Sequence, residues 1–197
     1  MITAELTYRT YEDKDLPGIL QLWEQYSGWG AITLEQFDKW YLQTPYGPCL
    51  VIVAVNNEEE IVGKIAFIPA VITLNGRERK VIRGSAPILN PECRQFSLNQ
   101  ADHPAFAMIK EGMKVGTELG YELLYSFPAQ GWIALLRAFP RYGMPDGHVA
   151  LYECFTLSLE TNYIPPAKNI KTAIFTGRFS EEYDQLWKEA VTGFPLS

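Results

Sequence analysis

"IVGKIAFIPAVITLNGRERKVIRGSAPILNPECR", residues 61–94, decides how this chain folds. Its first fourteen residues are apolar almost throughout and rich in β-branched side chains, the composition of a strand inside a sheet. Asn75-Gly76 follows, a strong hairpin signal, because the two central positions of a tight hairpin turn favour residues that tolerate positive φ. "RKVIRGSAPIL" then returns as a second strand. Upstream, "CLVIVAV" and the turn "NNEEE" add a third, which makes an antiparallel meander. Downstream, "NPECRQFSLNQADHPAF" leaves the apolar strand, crosses a polar loop without glycine and enters a helix near Pro104. Strand, loop and helix N-terminus in that order form the usual geometry of an anion cradle.

The pattern extends outward on both sides. "ELTYRTY" alternates as a half-buried strand does, and Leu16, Ile19, Leu20, Trp23 and Tyr26 make one face of a helix that Asp13 or Asp15 can cap. After the break "SGWGA", Thr33 and Gln36 form a capping-box pattern ahead of Leu34, Phe37 and Tyr41. The helix from Pro104 carries Phe106, Ile109 and Met113 on one face and ends at Gly120. Gly112 and Gly116 inside it imply close packing against a sheet, since glycine is otherwise costly there. "YELLYSF" reads as a buried strand, followed by a helix with Trp132, Leu135, Leu136 and Phe139 as its stripe, and by the strand "HVALYECFTLSL". Residues 1–160 therefore read as one mixed α/β domain. "TNYIPPAKNI" (161–170) is a connector, because paired prolines continue neither element. The remainder to 197 is a short strand and an amphipathic helix from Ser180.

Composition narrows the function classes. With 197 residues and 47% hydrophobic content, the chain can bury its own core. A net charge of -6 disfavours nucleic acid as the main partner. Three widely spaced cysteines suit a reducing compartment, and no segment is apolar enough to span a membrane, so a cytoplasmic protein is expected. Two isolated histidines, His103 and His148, do not make a metal site. Cys93, with no base visible near it in sequence, reads as a partly buried thiol.

Strand, two helices, three-strand meander, loop and helix, strand, helix, strand resembles the GNAT acyltransferase superfamily. "YRTYEDKDLPGILQLW" is similar to the family's opening, and "GYELLYSFPAQGWIALLRAFPRYGM" to the end of its acyl-CoA site. The closest likeness is to a two-lobed acetyltransferase-like variant, and "FSEEYDQLWKEAVTGFPLS" looks like the start of a second lobe. The resemblance implies an α/β (α+β) fold with a mixed, mostly antiparallel central sheet flanked by helices. It also implies acyl transfer from acetyl-CoA or another acyl-CoA to a small-molecule amine, with a second lobe or homodimer as possible partner.

The same resemblance assigns residues. Ile88 and Leu89 would end the cofactor strand, with Arg94, Gln95 and His103 following in the loop and at the helix start; His103 alternatively caps that helix. The family's glycines after Arg94 are absent. Its usual tyrosine position is Phe139, so Tyr142 is the substitute acid, and no carboxylate interrupts "KVIRGSAPIL" to serve as base. Three readings stay open: an N-acyltransferase, a non-catalytic GNAT-like binding or architectural module, and an aminoacyl-tRNA-dependent transferase, the last disfavoured by the acidic charge.

Overall fold

A computed structural model describes residues 6–74, 76–85, 87–95 and 103–127, and the side chains of Arg94 and Gln95 lie outside the description. The described residues form a six-stranded sheet with helices on both faces. The elements are β1 (Thr7–Thr10), α1 (Leu16–Tyr26), α2 (Leu34–Phe37), β2 (Leu50–Val55), β3 (Ile61–Leu74), β4 (Arg77–Gly84), β5 (Ile88–Leu89), α3 (Pro104–Glu118) and β6 (Leu123–Tyr125). Strand order is β1-β2-β3-β4-β6, with β5 paired to β3. All pairings are antiparallel except β4 with β6. This is the mixed, mostly antiparallel sheet expected from the sequence. Residues 128–197, with the expected fourth helix, last strands, connector and 160/161 boundary, lie outside the described residues.

β3 is the spine. Its first half pairs with β2, from Val55–Ile61 to Leu50–Phe67, and its second half with β4, from Phe67–Gly84 to Leu74–Arg77. The hairpin closes across Leu74–Arg77, with Gly76 at φ 72 supplying the positive dihedral the turn needs. Pro69 lies mid-strand yet breaks no ladder. Ala66 faces β4 through Ser85, so by alternation residue 69 faces the β2 side, beyond the last pair with that strand.

β2 is buried on both faces and separates two cores. Leu50, Ile52 and Ala54 pack with Ile65, Phe67 and Ile82 under Phe106, Met108 and Ile109 of α3. Val51, Val53 and Val55 pack with Ala66 and Ile88 under Ile19, Leu22 and Trp23 of α1 and Phe37 and Tyr41.

The helix ends follow local chemistry. Thr33 Oγ1 accepts from Gln36 N–H at 3.1 Å while Gln36 Oε1 accepts from Thr33 N–H at 2.8 Å, the expected capping box. α2 then widens over 38–42, where Gln43 N–H reaches back five residues to Asp38 O. α3 ends in a Schellman motif: Gly120, at φ 81, donates to Thr117 O, and Tyr121 N–H donates to Gly116 O. The start of α1 differs from expectation. The Asp15 side chain does not cap it; the carboxylate takes two bonds from Arg9, at 2.6 and 2.8 Å, and one from Glu12 N–H. The Arg9 hydrogen bonds hold the Asp15 carboxyl below its ordinary range, and the pair ties β1 to the start of α1. β6 also departs from the buried strand expected: Leu123 is 42% exposed, because this short strand carries it away from the core.

α3 approaches the sheet as closely as its glycines imply. A Cβ on Gly112 would stand 2.1 Å from Phe67 Cε2, and one on Gly116 2.8 Å from Ile82 Cδ1. Gly112→Ala must push α3 off the sheet, and overpacking of this kind costs about 1–3 kcal/mol. Urea denaturation is expected to show that loss, whereas Lys110→Ala, on the exposed side of the same helix, leaves the midpoint within error.

Candidate functional site

The sheet opens where β4 gives way to β5. β4 and β6 stay in register through Arg83–Tyr125, and the ladder stops there. The next residue swings toward β3: Ser85 N–H donates to Ala66 O at 2.9 Å, and Ser85 Oγ accepts from Ala66 N–H at 3.1 Å. Pro87 has no N–H to offer a neighbour. Ile88 then pairs opposite Lys64 and Leu89 opposite Gly63, and among the described residues β5 is laddered to β3 alone. Ser126 and Phe127 continue beyond β6 without strand pairing. The result is a parting between neighbouring strands, bordered by a buried apolar segment.

A buried lysine stands one strand in from that parting. Lys64 is 1% exposed, and its Nζ donates to Tyr41 Oη at 2.7 Å. Nζ also lies 4.5 Å from the Trp23 ring centroid and 4.2 Å from that of Tyr41. Burial is the main cause that lowers the amine to about 7, because a charge in this box loses its hydration. Burial likewise raises the Tyr41 phenol, and it raises the Cys49 thiol to about 11. The box continues outward through aromatic contacts. Trp23 meets Trp29 at 5.5 Å and Trp40 at 6.1 Å, and both partners are largely exposed. Gly28 and Gly30, at φ 80 and 77, shape the loop that presents Trp29. The Trp23 Nε1–H is buried and lacks a hydrogen-bond partner among the described residues.

At the start of α3 the backbone donors are already engaged. His103 Nδ1 accepts from Ala105 N–H at 3.1 Å, Pro104 has no N–H, and Phe106 and Ala107 N–H both donate to His103 O. His103 thus takes the capping role that was one of its two expected fates. A cleft between α1 and the β2–β3 turn, lined by Lys14, Asp15, Gln21, Glu59, Glu60 and Asn90, is a poor match to a diphosphate, since three of those six are carboxylates.

The structure places the other expected residues as follows. Ile88 and Leu89 form β5, on opposite cores. Arg94 and Gln95 end a short 3₁₀ turn, Pro91–Gln95. Tyr142 and Phe139 lie outside the described residues. Burial raises the Cys93 thiol, as befits an inert cysteine. The Lys64 box escaped the sequence reading, although a lysine in phase with Ala66 and Ile68 on a central strand was a signal of an inward-facing cation.

No protein-family model matches the sequence, and no curated protein matches it. Solved structures do. An acetyltransferase of Trypanosoma brucei superposes with a TM-score of 0.55 at 15% identity, over 79% of this chain and 100% of the other. The fold is that of the GNAT acetyltransferases. Glucosamine-6-phosphate N-acetyltransferase from Arabidopsis thaliana shares this GNAT fold at TM-score 0.55 and 13% identity, over 77% and 99% of the two chains. Aminoglycoside N-acetyltransferase AAC(6')-Iy in complex with CoA does so at 0.53 and 14%, over 78% and 97%.

The lysine makes this GNAT fold sensitive to pH. Between about 7 and the ordinary 10.5, the unfolded chain holds a proton on Lys64 that the folded chain does not, so stability rises with pH across that window. Below about 7 both states are protonated and the full burial penalty applies. Urea denaturation from pH 6 to 9.5 is expected to show a Lys64-dependent slope approaching about 1.4 kcal/mol per pH unit. Lys64→Met abolishes that slope and is the more stable protein at pH 6.

Proposed function

We propose that the chain is an N-acyltransferase that moves an acetyl or other acyl group from an acyl-CoA to an amine on a small molecule. The observation that carries this reading is the parting of the strands after Arg83–Tyr125, beside the apolar segment Ile88–Leu89. A narrow arm with amide groups suits that space: unladdered backbone can bond to it, and buried aliphatic side chains keep water away. GNAT neighbours support the arm's identity, since one of them is a complex with CoA and another is named for an amino-sugar phosphate acceptor. When bound, an acyl-CoA supplies a thioester open to attack by an amine. The chain's own part is to border the arm with β5, to set the charge of Arg94 and the turn at Gln95 against the diphosphate, and to provide Tyr142 as a proton donor. The absence of a membrane-spanning helix among the described residues leaves small soluble acceptors as the natural class.

The start of α3 sets a condition on this reading. A diphosphate approaching the helix competes with His103 Nδ1 for the Ala105 N–H. The same feature, together with a loop that has no glycine between Asn90 and His103, favours a second reading: a non-catalytic GNAT-like binding or architectural module.

Calorimetry with acetyl-CoA separates the two. Under the transferase reading the wild type binds, and Arg94→Ala weakens binding by about tenfold, as loss of one charge-assisted contact would. His103→Ala, by releasing the Ala105 N–H, tightens binding several-fold while lowering stability by about 1 kcal/mol. Absence of heat for both wild type and His103→Ala at millimolar acetyl-CoA selects the module instead.

A further inference from the structure

The proton chemistry of acyl transfer lacks an owner. When an amine displaces a thiolate from a thioester, a C–N bond forms, the C–S bond breaks, and one proton must leave nitrogen and arrive at sulfur. Phe139 occupies the position where the resemblance expects a tyrosine, and the strand "KVIRGSAPIL" offers no carboxylate.

The described residues contain one pair suited to the task. Tyr41 packs in the same cluster as Ile88, which borders the parting of the strands. Its hydroxyl meets Lys64 Nζ at 2.7 Å, and Lys64 is the direct cross-strand partner of Ile88, so its backbone lies about 5 Å from that segment. Resting on the acyl-transfer reading, we propose that Tyr41 and Lys64 form its proton-handling pair, with Tyr41 exchanging the proton and Lys64 acting through Tyr41.

Enclosure dictates the division of labour. At 1% exposure Lys64 meets no substrate, so it is a positioning residue, while Tyr41, at 7%, is the outer member. As the incoming nitrogen bonds to the acyl carbon, its proton passes to Tyr41 Oη while the phenol's own proton passes to Lys64 Nζ. As the C–S bond breaks, the reverse shift delivers a proton to sulfur and restores the pair. Atoms balance without a co-reactant. Such a relay needs an amine that is neutral at rest, which burial provides by bringing Lys64 to about 7. It also needs a place for the transient ammonium, which the faces of Trp23 and Tyr41 provide. The other titratable groups acting here are Cys49, which faces Lys64, and Arg83, which acts on Cys49.

The test combines a titration with kinetics. Carbon-13 NMR of lysine-labelled wild type follows the Lys64 ε-methylene from pH 5 to 11, with Lys64→Met assigning the signal. In parallel, thiol release from acetyl-CoA is measured with a panel of primary amines across the same pH range, and acetyl-CoA binding is measured by calorimetry. The pair is supported if Lys64 titrates near neutrality, if Tyr41→Phe lowers kcat by about a hundredfold with acetyl-CoA binding unchanged, and if Lys64→Met removes the limb near pH 7 from the rate profile. Titration of Lys64 at the ordinary lysine pH overturns it. So does a Tyr41→Phe rate within twofold of wild type, or a protein that binds acetyl-CoA but releases no thiol with any amine. Failure to bind acetyl-CoA instead overturns the acyl-transfer reading, and the proton role with it, even where the NMR titration is near neutral.

Discussion

The change of partner along β3 is the constraint from which the rest follows. A strand of fourteen residues is longer than any neighbour that must cover it, so β4 and β5 share one of its sides in turn. The handover at Ser85 diverts the chain toward β3 and leaves β6 paired only as far as Tyr125. A parallel neighbour cannot follow both segments. The parting is therefore a product of backbone pairing, fixed before any functional side chain is placed.

The two faces of the sheet solve different problems. On the α3 face, glycines let a helix lie almost on Phe67 and Ile82, so that core is dry and tight. On the α1 face a lysine enters the core, at an energetic cost that the Tyr41 hydroxyl and two aromatic faces offset in part. A hydrophobic residue of similar volume would fill that space with less penalty. The face that carries the penalty is also the one whose outer rim presents exposed indoles and borders Ile88.

Much of the scaffold was legible in the sequence, because it depends on short-range signals. The hairpin at Gly76, the Thr33–Gln36 box, the stop at Gly120 and the tight packing at Gly112 each follow from a few adjacent residues. The candidate site was less legible, because it depends on contacts between distant residues. Tyr41 and Lys64 are 23 residues apart, and nothing local marks Tyr41 as more than one apolar position of a helix. Asp15 shows the same limit. It has the right type and place for a cap, yet the Arg9 guanidinium offers its carboxylate a stronger partner than a helix amide does.

The widened turn over 38–42 has a consequence of its own. An α-helix advances about 100° per residue, so one surplus residue in a turn shifts the azimuth of everything after it by that amount. With the surplus accommodated, Tyr41 points to the interior and Trp40 to the rim. A chain one residue shorter here would resume regular pitch and exchange their orientations, leaving an indole to face Lys64. Among homologous sequences, a single-residue gap in this helix would thus mark the boundary between two architectures of the same core.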